Sequence, residues 1–376
     1  MTRDKIDLYK RLIILLVIAL SLFGVLMIYS SSYILAREHF GDSNFFLKRQ
    51  LMYLVAGAGI FIVTSHLRFE FLLKYALYIN LAIVGVLIFT IIPGFGISVK
   101  GASRWVGLAG VRIQPGEFLK FSLILFAPTL FENFEHLDLK SKIGYAACLC
   151  VPLIILMRQP DFGTFSICTI GIIFIVFLSR FSRKNFYLLL FSSTILSLII
   201  LILEPYRIKR LISFIDPWKN ARSAGFQVIQ SFLAFANGSF LGQGLGNGNQ
   251  KLFYLPEAHN DFIFSVIGEE LGLVGVIAVV LAFVAFIYFG FKLALCYRSR
   301  LSFLVSSGII FMLGIQAVMN MGVVLGLLPT KGLNLPFLSF GGSSLISNMW
   351  GLGIFMSAHR ANFQRKLTLG AHYDSQ

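Results

Sequence analysis

Apolar runs long enough to cross a bilayer recur along the whole chain, separated by short polar stretches that carry most of its charge. A hydrocarbon core of about 30 Å calls for roughly 20 apolar residues per helix. Such runs fall near residues 12–34, 49–65, 73–92, 115–131, 143–157, 163–179, 186–204, 262–291, 302–328 and 341–359. In lipid only helices and closed barrels satisfy the backbone, and these runs lack the period-two alternation of barrel strands. The pattern therefore predicts an all-α integral membrane protein of about ten transmembrane helices. Pro128, Pro152 and Pro160 interrupt or bound the fourth to sixth spans, the least regular part of the pattern.

Composition agrees. Of 376 residues, 57% are hydrophobic and 13% charged, with a mean hydropathy of +0.81, so the chain cannot cover itself with polar surface. A soluble enzyme, a disordered protein and a secreted disulfide scaffold are excluded. Cys148, Cys150, Cys168 and Cys296 lie in or beside apolar runs without metal-ligand spacing and read as small hydrophobes. The formal charge of +15 points to membrane lipids and not to nucleic acid, because no basic segment is long enough to track a polynucleotide. The first run is too long for a signal-peptide core and lacks a small-residue cleavage site, so it reads as a retained anchor.

Orientation follows from the basic residues. With the N-terminus inside, seventeen Lys and Arg fall in inside segments. Five, namely Arg37, Lys48, Arg49, Arg158 and Lys331, fall in short outside loops. The positive-inside rule puts both termini in the cytoplasm. Two outer loops break the bias. Residues 93–114 carry Lys100, Arg104 and Arg112 without an acid, and residues 205–261 carry Arg207, Lys209, Arg210, Lys219, Arg222 and Lys251 against three acids. Such loops suit an anion at the outer leaflet and equally suit anionic headgroups. No repeat or linker divides residues 1–376, which read as one transmembrane domain with 205–261 as a large extracytoplasmic loop between the seventh and eighth spans.

That loop is too apolar to be disordered: Phe214, Phe226, Phe232, Phe235, Phe240, Phe253 and Tyr254 suggest parts that touch or re-enter the membrane. Its glycine run, Gly238 to Gly248, lacks the Lys-Ser/Thr of a phosphate loop and follows no strand, so nucleotide binding is disfavoured. The glycines suit tight turns or close approach of backbone to a ligand, and a plain flexible loop explains them equally. After it come Glu257, His259, Asn260 and Asp261, just before an apolar span that begins at Phe262. Asp261 stands at the N-cap position, and capping alone would explain it. A second carboxylate, an imidazole and a site where lipid meets water favour chemistry, because apolar walls bring a carboxylate's proton affinity toward that of a general base.

Glu117 and Lys120 sit three apart on one face of the fourth span, placed to neutralise each other or another charged group, as a structural pair or lining a polar cavity. Asp161 is a candidate cap of the sixth span and a partner for Arg158. Glu269 and Glu270 lie about two turns into the eighth span, close enough to its end for at least one to reach polar surroundings. Gly341, Gly342, Ser343 and Ser344 open the last span with the amides and hydroxyls that accept phosphate oxygens, and Lys331 adds a cation; a plain helix cap explains them equally. The remaining histidines form no metal cluster.

The motifs Gly101-Ala-Ser-Arg-Trp105, Gln114-Pro-Gly-Glu117 with Lys120, Gln159-Pro-Asp-Phe-Gly-Thr164, Asp216-Pro-Trp218, Gly242-Gln-Gly-Leu-Gly246, Tyr254-Leu-Pro-Glu-Ala-His259 with Asp261, and Leu328-Pro-Thr-Lys-Gly332 with Gly341-Gly-Ser343 resemble the SEDS (shape, elongation, division and sporulation) family, in that family's order and over most of the chain. The tyrosine before Leu-Pro-Glu-Ala-His and the Pro-Thr-Lys-Gly loop are more similar to its division branch than to its elongation branch. The resemblance implies ten spans in the bacterial cytoplasmic (inner) membrane. It also implies a glycosyltransferase that polymerises lipid II into peptidoglycan glycan strands on the outer face. A class B penicillin-binding protein transpeptidase and other divisome proteins are the implied partners.

The family's essential loop aspartate maps to Asp261, and its buried acid and base map to Glu117 and Lys120. Arg104, Gln114, Asp161, Glu257, His259, Lys331 and Ser343 are candidates for the surrounding substrate-binding or structural network. No cofactor is required by the resemblance, and a divalent cation, Mg or Mn, is compatible with it. Gly116 and Asn260 depart from the family's usual Ser and Thr. A lipid II flippase or other polyprenyl-linked transporter is the competing reading, favoured by intramembrane Glu117 and Lys120, and a non-catalytic scaffold for the transpeptidase is a third.

Overall fold

A computed structural model describes residues 3–92, 94–99, 102–108, 111–203, 214–221, 225–249 and 255–373. Helices coincide with all ten predicted spans: α1 (Arg3–Phe40), α2 (Phe45–His66), α3 (Phe69–Lys74) with α4 (Ala76–Phe89), α5 (Pro115–Phe131), α6 (Leu139–Arg158), α7 (Phe162–Leu178), α8 (Arg183–Leu203), α10 (Ile263–Ala294), α11 (Arg300–Val324) and α12 (Gly342–Tyr373). An additional helix, α9 (Phe226–Gly238), lies in the large loop. Helices α1, α2, α6, α10 and α11 are long and apolar enough to cross a membrane; α4 and α7 are shorter apolar helices. Pro128 and Pro152 are carried inside α5 and α6 without ending them.

The helical bundle expected from the sequence is present, with one small addition outside the spans. Residues 96–113 hold a small antiparallel sheet of β1 (Gly96–Val99), β2 (Ala102–Leu108) and β3 (Val111–Ile113), with Ile97 opposite Trp105 and Gly107 opposite Arg112. Outside the apolar spans, water or a strand partner satisfies the backbone, so the helix requirement no longer applies.

Helix α5 occupies the centre. Leu119 through Ala127 are all buried, as a helix packed on every side must be, and it is flanked by α4, α7, α11 and α12. Peripheral faces present Val55, Val63, Tyr187 and Phe191 outward, the lipid-facing apolar surface expected of such a bundle. Helix α2 packs along α12, and α1 along α10.

The loop that carries the glycine run is seated on a break in α10. Gly272 has φ +65°, outside helical geometry. The N–H groups of Leu273 and Val274 donate to the carbonyls of Ser239 (3.0 Å) and Phe240 (3.3 Å), while the carbonyls of Glu269 and Glu270 accept from Gln243 and Gly244, each at 3.0 Å. Residues 239–244 thus replace the i to i+4 bonds that α10 loses at its break. A Cβ on Gly242 would lie 2.2 Å from the Glu270 carbonyl oxygen, which fixes glycine there. The backbone approached by these glycines is the protein's own helix.

Candidate active site

One end of the bundle gathers the polar residues that the sequence singles out. Helices α2, α5, α7, α10 and α12 all start there, because alternate spans begin on the same side. Phe46 of α2 packs on His259 (ring centroids 4.5 Å). The Gln114 N–H at the start of α5 donates to Ser343 Oγ of α12 (3.0 Å), and Gln114 Nε2 reaches Asp161 Oδ2 at the start of α7 (3.5 Å). The Phe340 N–H donates to the His259 carbonyl (2.9 Å).

Asp261 is half-buried in the turn that precedes α10. The N-cap position is Phe262, one residue beyond Asp261. The main-chain carbonyl of Asp261 accepts from Asn320 Nδ2 of α11 (2.8 Å), and a Cβ on Gly332 would stand 3.3 Å from Asp261 Oδ2. The carboxylate therefore lies against the Lys331-Gly332 segment. In the same turn Asn260 Nδ2 donates to Glu257 Oε2. His259 is held neutral because burial lowers its pKa to about 4, partly opposed by Glu257. Burial likewise lowers Lys331 to about 8, and its ammonium lies 5.0 Å from the Phe162 ring centroid.

Below this turn the predicted pair is formed. Lys120 Nζ donates to Glu117 Oε2 and to Gln316 Oε1, both at 2.6 Å, and all three residues are buried. Gln316 Nε2 donates to the Asn334 carbonyl (2.8 Å), and Asn320 Nδ2 also donates to that of Leu333 (2.6 Å). Asn334 Nδ2 donates to the Phe340 carbonyl (3.0 Å). A continuous set of bonds thus runs from Glu117 and Lys120 through α11 to the 331–340 loop and the Asp261 turn. The sequence reading missed Gln316, Asn320 and Asn334. The signal was present: two primary amides four residues apart in an apolar span share one helical face.

Other expectations resolve differently. Asp161 does cap α7, accepting from the Thr164 N–H (3.3 Å) and Thr164 Oγ1 (2.9 Å). Its cation is Arg104, at 3.9 Å, and not Arg158, which is exposed. Arg104 reaches from β2 to the carbonyls of Gln159 (3.4 Å) and Pro160 (2.6 Å), a role open to it because the 96–113 loop folds as a sheet. Glu269 and Glu270 do not reach polar solvent. Both are fully buried; Glu269 Oε1 accepts from the Asn249 N–H (3.0 Å) and Glu270 Oε2 from Ser30 Oγ (2.6 Å). At the start of α12, Ser343 is engaged by Gln114, and Gly341 and Gly342 admit Asn334 and the Tyr53 ring to closer range than a Cβ would allow.

Glu204, Lys100, Gly101, Arg207, Lys209, Arg210, Arg222, Lys251, Phe253 and Tyr254 lie outside the described residues. Lys219 pairs with Asp216 at 3.0 Å. Among the described residues no group of three or more His, Cys, Asp or Glu comes together to hold a metal ion.

The family model for cell cycle proteins of the FtsW, RodA and SpoVE type matches residues 10–364. The chain belongs to this family. A relative from Geobacter metallireducens described as a probable peptidoglycan glycosyltransferase FtsW is 41% identical over 357 residues, covering 94% of this chain and 95% of that one. Stage V sporulation protein E of Bacillus subtilis is 34% identical over 356 residues, covering 93% and 96%. A chain from a solved structure described as "Structural coordination of polymerization and crosslinking by a peptidoglycan synthase complex" superposes with a TM-score of 0.74 at 27% identity, covering 94% and 98%. Within this FtsW/RodA/SpoVE chain, Asp261, Lys331 and the α11 amides stand together although some 70 residues separate them.

Proposed function

We propose that this chain is a peptidoglycan glycosyltransferase that polymerises lipid II, acting in cell division at the outer face of the bacterial cytoplasmic membrane with both termini in the cytoplasm. The observation that carries the reading is the Asp261 carboxylate, held against the Lys331-Gly332 segment at the end of the bundle where five helices begin. The basic inside segments give the orientation, and kinship to FtsW-described proteins gives the reaction class.

In this reading Asp261 removes the proton from the 4-hydroxyl of the acceptor N-acetylglucosamine. That oxygen attacks the anomeric carbon of the donor N-acetylmuramic acid, and undecaprenyl pyrophosphate leaves with inversion. The partial positive charge at the converging helix starts and the Lys331 ammonium balance the diphosphate as it departs. The lipid tail stays in the bilayer, so the enzyme orients only the sugars and diphosphate. A class B penicillin-binding protein is the proposed transpeptidase partner, with other divisome proteins around it.

The transporter reading rests on Glu117 and Lys120. Their bonds to each other and to Gln316 make them a brace for the 331–340 loop and not a mobile relay. Polymerisation of purified lipid II, with and without the transpeptidase, tests the proposal. Asp261→Asn should fold, retain its partner and make no glycan. Glycan synthesis by that variant would remove Asp261 from the chemistry, and substrate movement across vesicles without new glycosidic bonds would favour the transporter.

A further inference from the structure

Resting on the reading of Asp261 as the general base, we infer that Asn320 is a positioning residue that sets the Asp261 carboxylate against the Lys331-Gly332 segment. Asn320 is 2% exposed, one helical turn from Gln316 on the same face of α11. Those two amides hold consecutive carbonyls of one loop, Leu333 and Asn334. Asn320 alone among the two also crosses to the carbonyl of Asp261 itself, so a single nitrogen joins two segments that lie about 70 residues apart in sequence.

The chemistry explains the residue type. A primary amide carries two N–H donors on one planar, uncharged nitrogen. An ionised Asp would face both carbonyls with negative charge, Leu would supply no donor, and Gln would overshoot by a methylene. Asn320 Oδ1 is buried with no hydrogen-bond partner among the described residues, a destabilising arrangement. The side chain is thus retained for its two donors. Oδ2 of Asp261 stands 3.3 Å from the position of a Gly332 Cβ, so loosening this pin shifts the base relative to the loop. A displacement of about 1 Å can lower turnover about 100-fold.

The test uses the full chain with its transpeptidase partner and purified lipid II. Asn320→Leu is expected to reduce kcat about 100-fold, leaving KM within about twofold of wild type because Asn320 is assigned no substrate contact. Asn320→Asp supplies a second signature. Protonated, its carboxyl can restore one of the two bonds; ionised, neither. Its activity relative to wild type should therefore rise as pH is lowered, while that of Asn320→Leu stays flat. A kcat for Asn320→Leu within about threefold of wild type, with Asp261→Asn inactive, overturns the inference and leaves the catalytic reading standing. If Asn320→Leu fails to fold, the Asn320→Asp ratio decides: a rise toward low pH supports the pin, and a flat ratio overturns it. Wild-type turnover by Asp261→Asn would remove the base, and this inference with it.

Discussion

Two buried acidic sites differ in what their oxygens and backbones hold. Glu117 is bonded to a cation on its own helix, and that cation reaches through Gln316 to the 331–340 loop. Glu269 and Glu270 sit beside a break in α10, where side chains and main-chain carbonyls receive Asn249, Ser30, Gln243 and Gly244. The first site is a charged brace under the candidate base. The second fastens the large loop to a membrane helix. An acid in an apolar helix is costly in both settings, so its presence alone does not announce catalysis; the bonds it makes decide.

The largest expected effect tests the brace. Lys120→Met leaves Glu117 buried without its ammonium and should cost about 3–5 kcal/mol, as breaking a buried pair by one partner does. Pairing that change with Glu117→Gln should recover much of the loss, measured by thermal unfolding of the purified protein. A double variant no more stable than Lys120→Met would show that the ion pair does not set the stability of this site.

The fastening at α10 gives a paired prediction. Gly242 has φ +80° and Gly246 has φ +81°, but only at Gly242 would a Cβ collide with backbone, 2.2 Å from the Glu270 oxygen; at Gly246 nothing lies within 4 Å. Alanine at Gly246 should cost only the left-handed backbone penalty, about 1–2 kcal/mol. At Gly242 the collision adds about 1–3 kcal/mol more. Equal losses at the two positions in the same unfolding measurement would rule out a tight seat of residues 239–244 on α10.

The same contrast explains what the sequence disclosed. Span positions were legible because lipid imposes one rule on every backbone group, and the Glu117 and Lys120 pairing followed from helical spacing. The sheet over residues 96–113 was not read, although Ile97, Val99, Val106, Val111 and Ile113 give it β-branched character. Helix α9 was also missed, despite Val228, Ile229, Phe232 and Phe235 at helical spacing. Tertiary partnership was the least legible. Nothing local in Gly242-Gln-Gly-Leu-Gly246 names Glu269 and Glu270 as its partners, and nothing beside Asp161 names Arg104. The polar hub was visible only in part, because its amides on α11 serve carbonyls supplied by distant loops.

The smallest expected effect separates the two lysines. Lys120 is matched by Glu117 and Gln316, whereas burial alone lowers Lys331 to about 8. A folded pKa below the unfolded 10.5 means that the native state binds fewer protons between those values. Stability therefore rises with pH from about 8 to 10.5, and below 8 the destabilisation is fully present. Lys331→Met should accordingly make the protein more stable at pH 7, by about 1–3 kcal/mol, while weakening polymerisation. In wild type, kcat/KM for the diphosphate substrate should fall as pH rises through about 8, where the free enzyme loses this cation. Lys331→Arg stays charged and should carry that limb to higher pH. A limb unmoved by arginine would assign the titration to another group and leave Lys331 without a role in holding the diphosphate, whereas a shift with preserved kcat would make it the cation that the loop keeps discharged only at alkaline pH.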